Sequence, residues 1–426
     1  MQVPGVMGGR KRKTRLDRYF WPLMILGIAV HVAFAVVAGN RVAPPWSGVG
    51  DNYLYITLAQ NIVAGNGYTF AHQPTAHRAP LYTLLVAALM WISPGHWLVA
   101  LHVLQCLAGI LTAFLCGRLA ERWFGPLAGR TAVIIALFLP TLLYFTSEVM
   151  TECFAALLTV AYLFWLDEAI RMPSARTLVI LGVVTGAAAL ERFNAAALVP
   201  IAVIVIFKWP NVSLGSWKRT LTFAVPCALV MAPWVIHMAI AFHGRALYST
   251  HGGINALEGV LMPQGRAQPG ETEEVERVIG WNPVGVETDN PVRPELRDEV
   301  ALDRRAWNIT FGLWRKKGFG LVPIAAHKVM DFWLSTDQVF DTRSFSQRNR
   351  LIRWAGVATY WIVLLLAVSG WWRLRESHPN IAHALLLYTI AVTLIHMPVP
   401  MSTRLRVPLF DPLLAALASG AFSQWL

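Results

Sequence analysis

Ten apolar stretches constrain this chain more than any single residue does. They lie at 19–38, 97–117, 131–146, 152–167, 177–190, 194–207, 220–242, 352–372, 381–397 and 407–425. One water-soluble core cannot absorb so many, whereas a bilayer takes a helix of ~20 such residues at each crossing. Several runs are shorter than that, so their ends draw in polar neighbours or are shielded by other helices. Only 14% of the residues are charged, against roughly 25% in soluble proteins. The expectation is an all-α polytopic membrane protein of about ten transmembrane helices, with short membrane-surface helices and a mainly helical extracytoplasmic loop region.

Basic residues set the orientation. With the N-terminus in the cytoplasm and the crossings alternating, the inside connections carry Arg10, Lys11, Arg12, Lys13, Arg15, Arg18, Arg118, Arg122 and Arg130. They also carry Arg171, Arg176, Lys208, Lys218, Arg219, Arg373 and Arg375. The short outside connections hold only Arg41, Arg78, Arg192, Arg404 and Arg406, which satisfies the bias of positive charge towards the cytoplasm. The formal net charge of +12 therefore reads as an orientation signal and not as a nucleic-acid surface. This parity holds only if Leu81–Ile92, about a dozen residues, lies at the interface or re-enters instead of crossing. The expected divisions are a basic cytoplasmic N-terminus (1–18), a transmembrane core (19–242) with a first extracytoplasmic loop (39–96), a large extracytoplasmic loop (243–351), and C-terminal transmembrane helices (352–426).

The large loop has its own composition, with the acidic run Glu271-Thr272-Glu273-Glu274 and with Pro283, Pro291 and Pro294. Helices are expected from about Pro294 to Lys317 and from Val322 to Leu334. Trp281, Trp307, Trp314 and Trp333 either anchor a lid at the membrane surface or stack on a sugar. Cys106, Cys116, Cys153 and Cys227 all lie in apolar stretches without metal-ligand spacing and read as small buried residues.

The chemistry is sought among polar residues that the topology gathers outside. The first loop reads Gly50-Asp51-Asn52-Tyr53-Leu54-Tyr55, then Asn61-Ile62-Val63-Ala64-Gly65-Asn66-Gly67-Tyr68, then Pro74-Thr75-Ala76-His77-Arg78-Ala79-Pro80-Leu81-Tyr82. Asp51 opens a helical stretch, a place that also suits a carboxylate as a cap. The next outside turn is Thr146-Ser147-Glu148-Val149-Met150-Thr151-Glu152. A charge at membrane depth costs about 2.5–3.5 kcal/mol, so this acidic pair is not expected to be idle, although a structural carboxylate fits either position. Glu191 and Arg192 are expected to pair with each other. His77, His251 and His396 could join acidic residues around a divalent cation, but no spacing resembles a zinc site and no motif calls for another cofactor.

The ordered set Gly-Asp-x-Tyr, Asn-x-x-x-Gly-x-Gly-Tyr and Pro-Thr-Ala-x-Arg-x-Pro-Leu-Tyr resembles the first loop of the C-type (GT-C) membrane glycosyltransferases. The branch it looks most like is related to the dolichyl-phosphate-mannose protein mannosyltransferases. That branch includes bacterial enzymes that glycosylate lipid A or lipopolysaccharide core from polyprenyl-phosphate sugars. Thr146–Glu152 resembles the family's second acidic loop, and Ser249-Thr250-His251-Gly252-Gly253-Ile254-Asn255 its Gly-Gly-Ile-Asn turn. The ending Arg404-Leu405-Arg406-Val407-Pro408-Leu409 is similar too, so the likeness spans nearly the whole chain. It is specific for the superfamily and not for a substrate. It implies an inverting hexosyl- or pentosyltransferase in a bacterial inner (plasma) membrane, with its active site facing the periplasm or exterior. It places the catalytic carboxylate at Asp51 and a lipid-phosphate-binding cation at Arg78. Some relatives carry aspartate at the second acidic site, where Glu148 stands here.

Such a reaction suits these side chains. A sugar leaving a lipid phosphate needs no general acid, because the phosphate departs as a stable anion, but cations must hold it. Arg78, Arg404 and Arg406 have the forked guanidinium for that role, and each also has a structural reading as an interfacial or paired residue. The acceptor, a glycolipid, polysaccharide or protein, must lose a proton as it attacks, with Asp51 as general base and Glu148 as second candidate. Tyr53, Tyr55, His77, Glu152, Arg192, His251 and Asn255 are the further candidates for touching substrate. The alternatives are a transporter or lipid flippase without transferase activity, which would place ionisable residues at mid-membrane in repeated halves, or a scaffold presenting its large loop.

Overall fold

A computed structural model describes residues 15–39, 51–70, 72–208, 216–261, 298–335, 350–400 and 403–422. The basic stretch 10–13, Arg41, the acidic run 271–274 and Trp281 lie outside these residues. The described chain runs through α1 (Arg15–Gly39), α2 (Asp51–Val63), α3 (Pro80–Ile92), α4 (Trp97–Phe124), α5 (Pro126–Phe138), α6 (Pro140–Phe145), α7 (Glu152–Arg171) and α8 (Ala175–Glu191). It continues through α9 (Leu198–Lys208), α10 (Ser216–Ala241), α11 (Gly252–Leu261), α12 (Glu299–Lys317), α13 (Leu321–Leu334), α14 (Arg350–Ser377), α15 (Pro379–Ile395) and α16 (Thr403–Phe422). Two two-residue strands, Thr69–Phe70 and Gln73–Pro74, pair antiparallel in the first loop.

This is an integral multi-pass membrane fold. Six helices (α1, α4, α7, α10, α14 and α16) are long and apolar enough to cross a bilayer. The other expected crossings coincide with helices of 17 residues or fewer. The stretch 131–146 is broken into α5 and α6, because Leu139 is extended and Pro140 cannot continue the helical hydrogen bonding. The stretch 194–207 begins with a 3₁₀ turn, Phe193–Ala197, before α9. α3 has 13 residues, a rise of about 20 Å, which is short of the ~30 Å hydrocarbon thickness.

α16 lies at the centre, buried over almost all its length. It packs on α4, α5, α7 and α14. Its approach to α14 is close: a Cβ at Gly370 would stand 1.9 Å from the Leu417 carbonyl oxygen. α8 and α10 meet in the same way, and a Cβ at Gly182 would stand 2.3 Å from the Phe223 carbonyl oxygen. The N-terminal end of α16 therefore carries Arg404 to the end of the bundle where α7 begins and α8 finishes. At the opposite end Arg122 pairs with Glu168 at 2.8 Å, and Arg171 with Asp167 at 3.1 Å. Along α7, Glu152 and Asp167 of these two polar clusters stand about 23 Å apart.

Candidate active site

The first loop folds Arg78 back onto Asp51 through its own sequence. Gly65 and Gly67 adopt φ of +81° and +74°, a left-handed backbone that glycine takes without steric cost. Asn61 Nδ2 donates to the Thr69 carbonyl at 2.7 Å, and the Tyr68 hydroxyl donates to the Arg78 carbonyl at 3.0 Å. Asp51 stands at the first position of α2, and Arg78 Nη2 donates to its Oδ1. Its other oxygen is taken from the far end of the chain, with Arg404 Nη2 2.6 Å from Asp51 Oδ2. Arg404 Nε donates to Glu152 Oε1, the first residue of α7. Arg192 Nη1 donates to the same oxygen at 3.0 Å and to Thr151 Oγ1 at 2.9 Å.

The result is a continuous ionic chain, Arg78–Asp51–Arg404–Glu152–Arg192, with three guanidinium groups against two carboxylates. One positive charge is left over. Arg78 Nε is buried and has no hydrogen-bond acceptor among the described residues, so a donor remains to be met. A group of this kind suits an anion with several oxygens. Partial burial works against the charge of Asp51, but Arg78 and Arg404 outweigh it and hold its carboxyl well below the usual carboxylate range.

Glu148 lies beside this chain. Burial pushes its carboxyl up, against the pull of a Tyr144 hydrogen bond and of Arg404. Its turn is held from inside the bundle, where Gln105 Nε2 donates to the carbonyls of Phe145, Thr146 and Glu148 at 3.2, 3.1 and 2.8 Å. Gln105 in turn accepts from the Tyr82 hydroxyl at 2.8 Å. Tyr55 packs edge-on against Tyr82. Burial raises its hydroxyl to about 12, and the nearby Arg78 pulls it the other way.

A second group joins the large loop to the first. His77 and His251 lie ring to ring, 3.7 Å between centroids. Burial, with Arg78 adding to it, lowers His251 to about 3, while burial and His251 hold His77 well below its usual value. Both are neutral at physiological pH. Glu299 Oε2 accepts from Ala76 N at 3.1 Å and from Thr250 Oγ1 at 2.6 Å, which pins α12 to the loop carrying Arg78. Asn255 is half-buried on α11.

Two expectations are corrected, the place of Arg406 and the partner of Arg192. Arg406 is not at the rim: it is fully buried, and its Nη1 donates to the Phe332 and Ser335 carbonyls at 3.0 and 3.1 Å. Its guanidinium lies 3.8 Å over the Tyr360 ring, near Asp411. Two residues along a helix turn a side chain by about 200°, so Arg404 and Arg406 face opposite ways. Arg192 pairs with Glu152 and not with Glu191, its neighbour in sequence. Tyr53 lies edge-on to Phe70, 6.4 Å between ring centroids. His396 has one ring nitrogen 2.8 Å from Asn194 Nδ2 and the other 2.7 Å from the Val392 carbonyl, and so braces a helix end. Among the described residues no three His, Cys, Asp or Glu side chains are grouped to hold a metal ion.

Reading the sequence alone missed Gln105 and Glu299. Gln105 had a signal as the amide in an apolar run.

Known proteins resemble this chain in fold. Residues 77–237 match a family model described as dolichyl-phosphate-mannose-protein mannosyltransferase. Among solved structures, the archaeal oligosaccharyltransferase AglB from Archaeoglobus fulgidus, in complex with an inhibitory peptide and a dolichol-phosphate, superposes with a TM-score of 0.54 at 15% identity. That match covers 96% of this chain and 51% of the other. The apo form of the Archaeoglobus fulgidus oligosaccharyltransferase gives a TM-score of 0.54 at 14% identity, over 97% of this chain and 51% of that one. ArnT from Cupriavidus metallidurans, bound to undecaprenyl phosphate, gives a TM-score of 0.43 at 16% identity, over 95% and 78%. The chain thus spans about half the length of the oligosaccharyltransferase whose fold it shares. No curated protein sequence matches it significantly.

Proposed function

We propose that this chain is a membrane glycosyltransferase of the GT-C kind, a reading supported by its fold and by its match over residues 77–237, and that it moves a sugar from a polyprenyl-phosphate donor to an acceptor outside the cytoplasm. The observation that carries this reading is the single ionic chain on which Asp51 is shared by Arg78 and Arg404. It sets a carboxylate and phosphate-seeking guanidinium groups side by side at one end of the bundle.

The geometry suggests an order of events. Clamped by two arginines, Asp51 is a weak base. A donor phosphate competes for the same two guanidinium groups, and as they turn to its oxygens the Asp51 carboxylate is released and becomes more basic. The acceptor hydroxyl then attacks the anomeric carbon, its proton passes to Asp51, and the bond from that carbon to the phosphate oxygen breaks. The electron pair leaves with the phosphate, whose charge Arg78 and Arg404 hold. Attack opposite to the leaving phosphate inverts the anomeric centre. Glu152 and Arg192 act one step back, by fixing Arg404. Glu148 is the second carboxylate within reach of the site. The charge bias of the sequence supports a site on the extracytoplasmic face, and the setting proposed with it is a bacterial plasma membrane.

The test is transfer itself. Membranes holding the chain are incubated with a radiolabelled polyprenyl-phosphate sugar, and label is followed into glycolipid, polysaccharide and protein fractions. Transfer that needs Asp51 and Arg78 supports the reading. Transport of the lipid across the bilayer with no transfer supports the flippase alternative.

A further inference from the structure

Between Asp303 and Asp331 the chain holds six basic residues, Arg304, Arg305, Arg315, Lys316, Lys317 and Lys328, and no acidic one. Arg315, Lys316 and Lys317 close α12, and all three are exposed. Cations suit the end of a helix. That does not call for Phe319, which follows them in a 3₁₀ turn and is 94% exposed. An uncovered aromatic ring beside a run of cations is a combination suited to a lipid headgroup layer.

α13 then runs with two unlike faces. Lys328 and Phe332, one turn apart, are buried. Opposite them Val322, Ala326, Val329 and Met330 are exposed, and their spacing sets them in one apolar stripe. The His327–Asp331 pair, 3.3 Å apart, edges it. With 14 residues, a rise of about 21 Å, the helix is too short to cross a bilayer. Its far end fixes its depth. The Tyr360 hydroxyl donates to the Trp333 carbonyl at 2.6 Å, and the Trp333 ring meets Phe410 at 4.6 Å between centroids. Arg406 donates to the Phe332 and Ser335 carbonyls. Arg406 and Phe410 lie near the start of α16, which is long and apolar enough to cross. The stripe therefore lies where that helix enters the bilayer, at the Arg404 end of the bundle.

We infer that the basic corner Arg315–Phe319 and the apolar stripe of α13 are a docking surface for anionic phospholipid in the leaflet nearest Arg404. The three cations take the phosphodiester oxygens of the headgroups, and the stripe rests on the upper part of the acyl chains. The docking reaches inward through the buried face. Lys328 Nζ donates to the Met397 and Val399 carbonyls at 2.9 and 3.0 Å, on the segment that leads into α16 and to Arg404. A seated α13 thus steadies that segment, and the composition of the leaflet is felt there. This inference needs no sugar and stands apart from the transferase reading.

The test places a fluorophore on Ala326→Cys in the full chain, one chain to each phosphatidylcholine nanodisc; the four native cysteines are buried. The discs also hold brominated phosphatidylglycerol or, at the same mole fraction, brominated phosphatidylcholine. Quenching by the brominated phosphatidylglycerol is expected to be the stronger by about threefold or more, and R315Q/K316Q/K317Q should bring the two level. Salt at about 1 M should do the same without any change to the corner, because the screening length falls to about 3 Å. Hydrogen exchange over residues 396–399 should slow when phosphatidylglycerol is present, and unchanged exchange overturns the link to Arg404. Quenching by neither lipid means that another segment or a second copy covers the stripe, and overturns the docking surface. Equal quenching by both leaves an apolar contact without headgroup recognition, and overturns it too. So does an excess that survives the triple variant, or one that a single equivalent of undecaprenyl phosphate removes. If the triple variant does not elute as a single species, the salt series decides the result.

Discussion

Arg404 Nη2 lies 2.6 Å from Asp51 Oδ2, so the first residue of the second helix is held by a residue from the start of the last one. Arg78 holds the other carboxylate oxygen. This shared carboxylate ties the first loop to the centre of the bundle, and it is the point on which the functional account turns.

Arg78→Ala removes one of the two groups offered to a phosphate. The expected outcome is a rise of roughly ten- to a hundredfold in the Kd for undecaprenyl phosphate, from the loss of about 1.5–3 kcal/mol of charge-assisted hydrogen bonding. Isothermal titration in nanodiscs measures it. Arg78→Lys restores the charge without the fork and should recover only part of the affinity.

Arg406→Leu separates a structural arginine from the site arginines. It leaves Asp411 buried without its cationic partner, a loss of about 3–5 kcal/mol. Thermal unfolding in detergent should therefore occur several degrees lower, while the protein that remains folded binds undecaprenyl phosphate as wild type does. Lost affinity with unchanged stability would return Arg406 to the site.

Much of this was legible in the sequence. The apolar runs give the helices, because a bilayer leaves the backbone few other ways to satisfy its hydrogen bonds. The positions of Asp51 and Arg78 follow from a loop whose glycines and asparagine prescribe its turn. What was not legible depends on rotation and on long-range pairing. Arg404 and Arg406 look equivalent along the chain, yet a helix sends them to opposite faces. Arg192 passes over its sequence neighbour Glu191 for Glu152, which reaches it only once α7 and α8 pack. The role of Gln105 as a donor to three carbonyls depends on where the chain turns between α6 and α7.

Gln105→Leu tests that role. Three buried carbonyls lose their donor, at a cost of about 1–3 kcal/mol. The turn carrying Glu148 should loosen. Hydrogen exchange in residues 145–149 should rise more than in the flanking helices, and transfer should fall while donor affinity holds.

Sidedness follows from the two polar ends of the bundle. The four cysteines are buried, so single new cysteines at Gly95 and at Met172, both exposed, can be labelled selectively. A membrane-impermeant maleimide should reach Gly95→Cys from outside the cell and Met172→Cys only after the membrane is opened. The reverse pattern, Met172→Cys reached from outside and Gly95→Cys only after the membrane is opened, would show that α3 crosses.

The most direct measurement compares Asp51→Asn with wild type in two assays on the same preparation, undecaprenyl phosphate affinity and sugar transfer. If the carboxylate and the donor phosphate compete for Arg78 and Arg404, the variant binds undecaprenyl phosphate more tightly, by about tenfold, while transfer falls by roughly 10²–10⁴. Weaker binding by the variant, or transfer equal to wild type, would contradict the account.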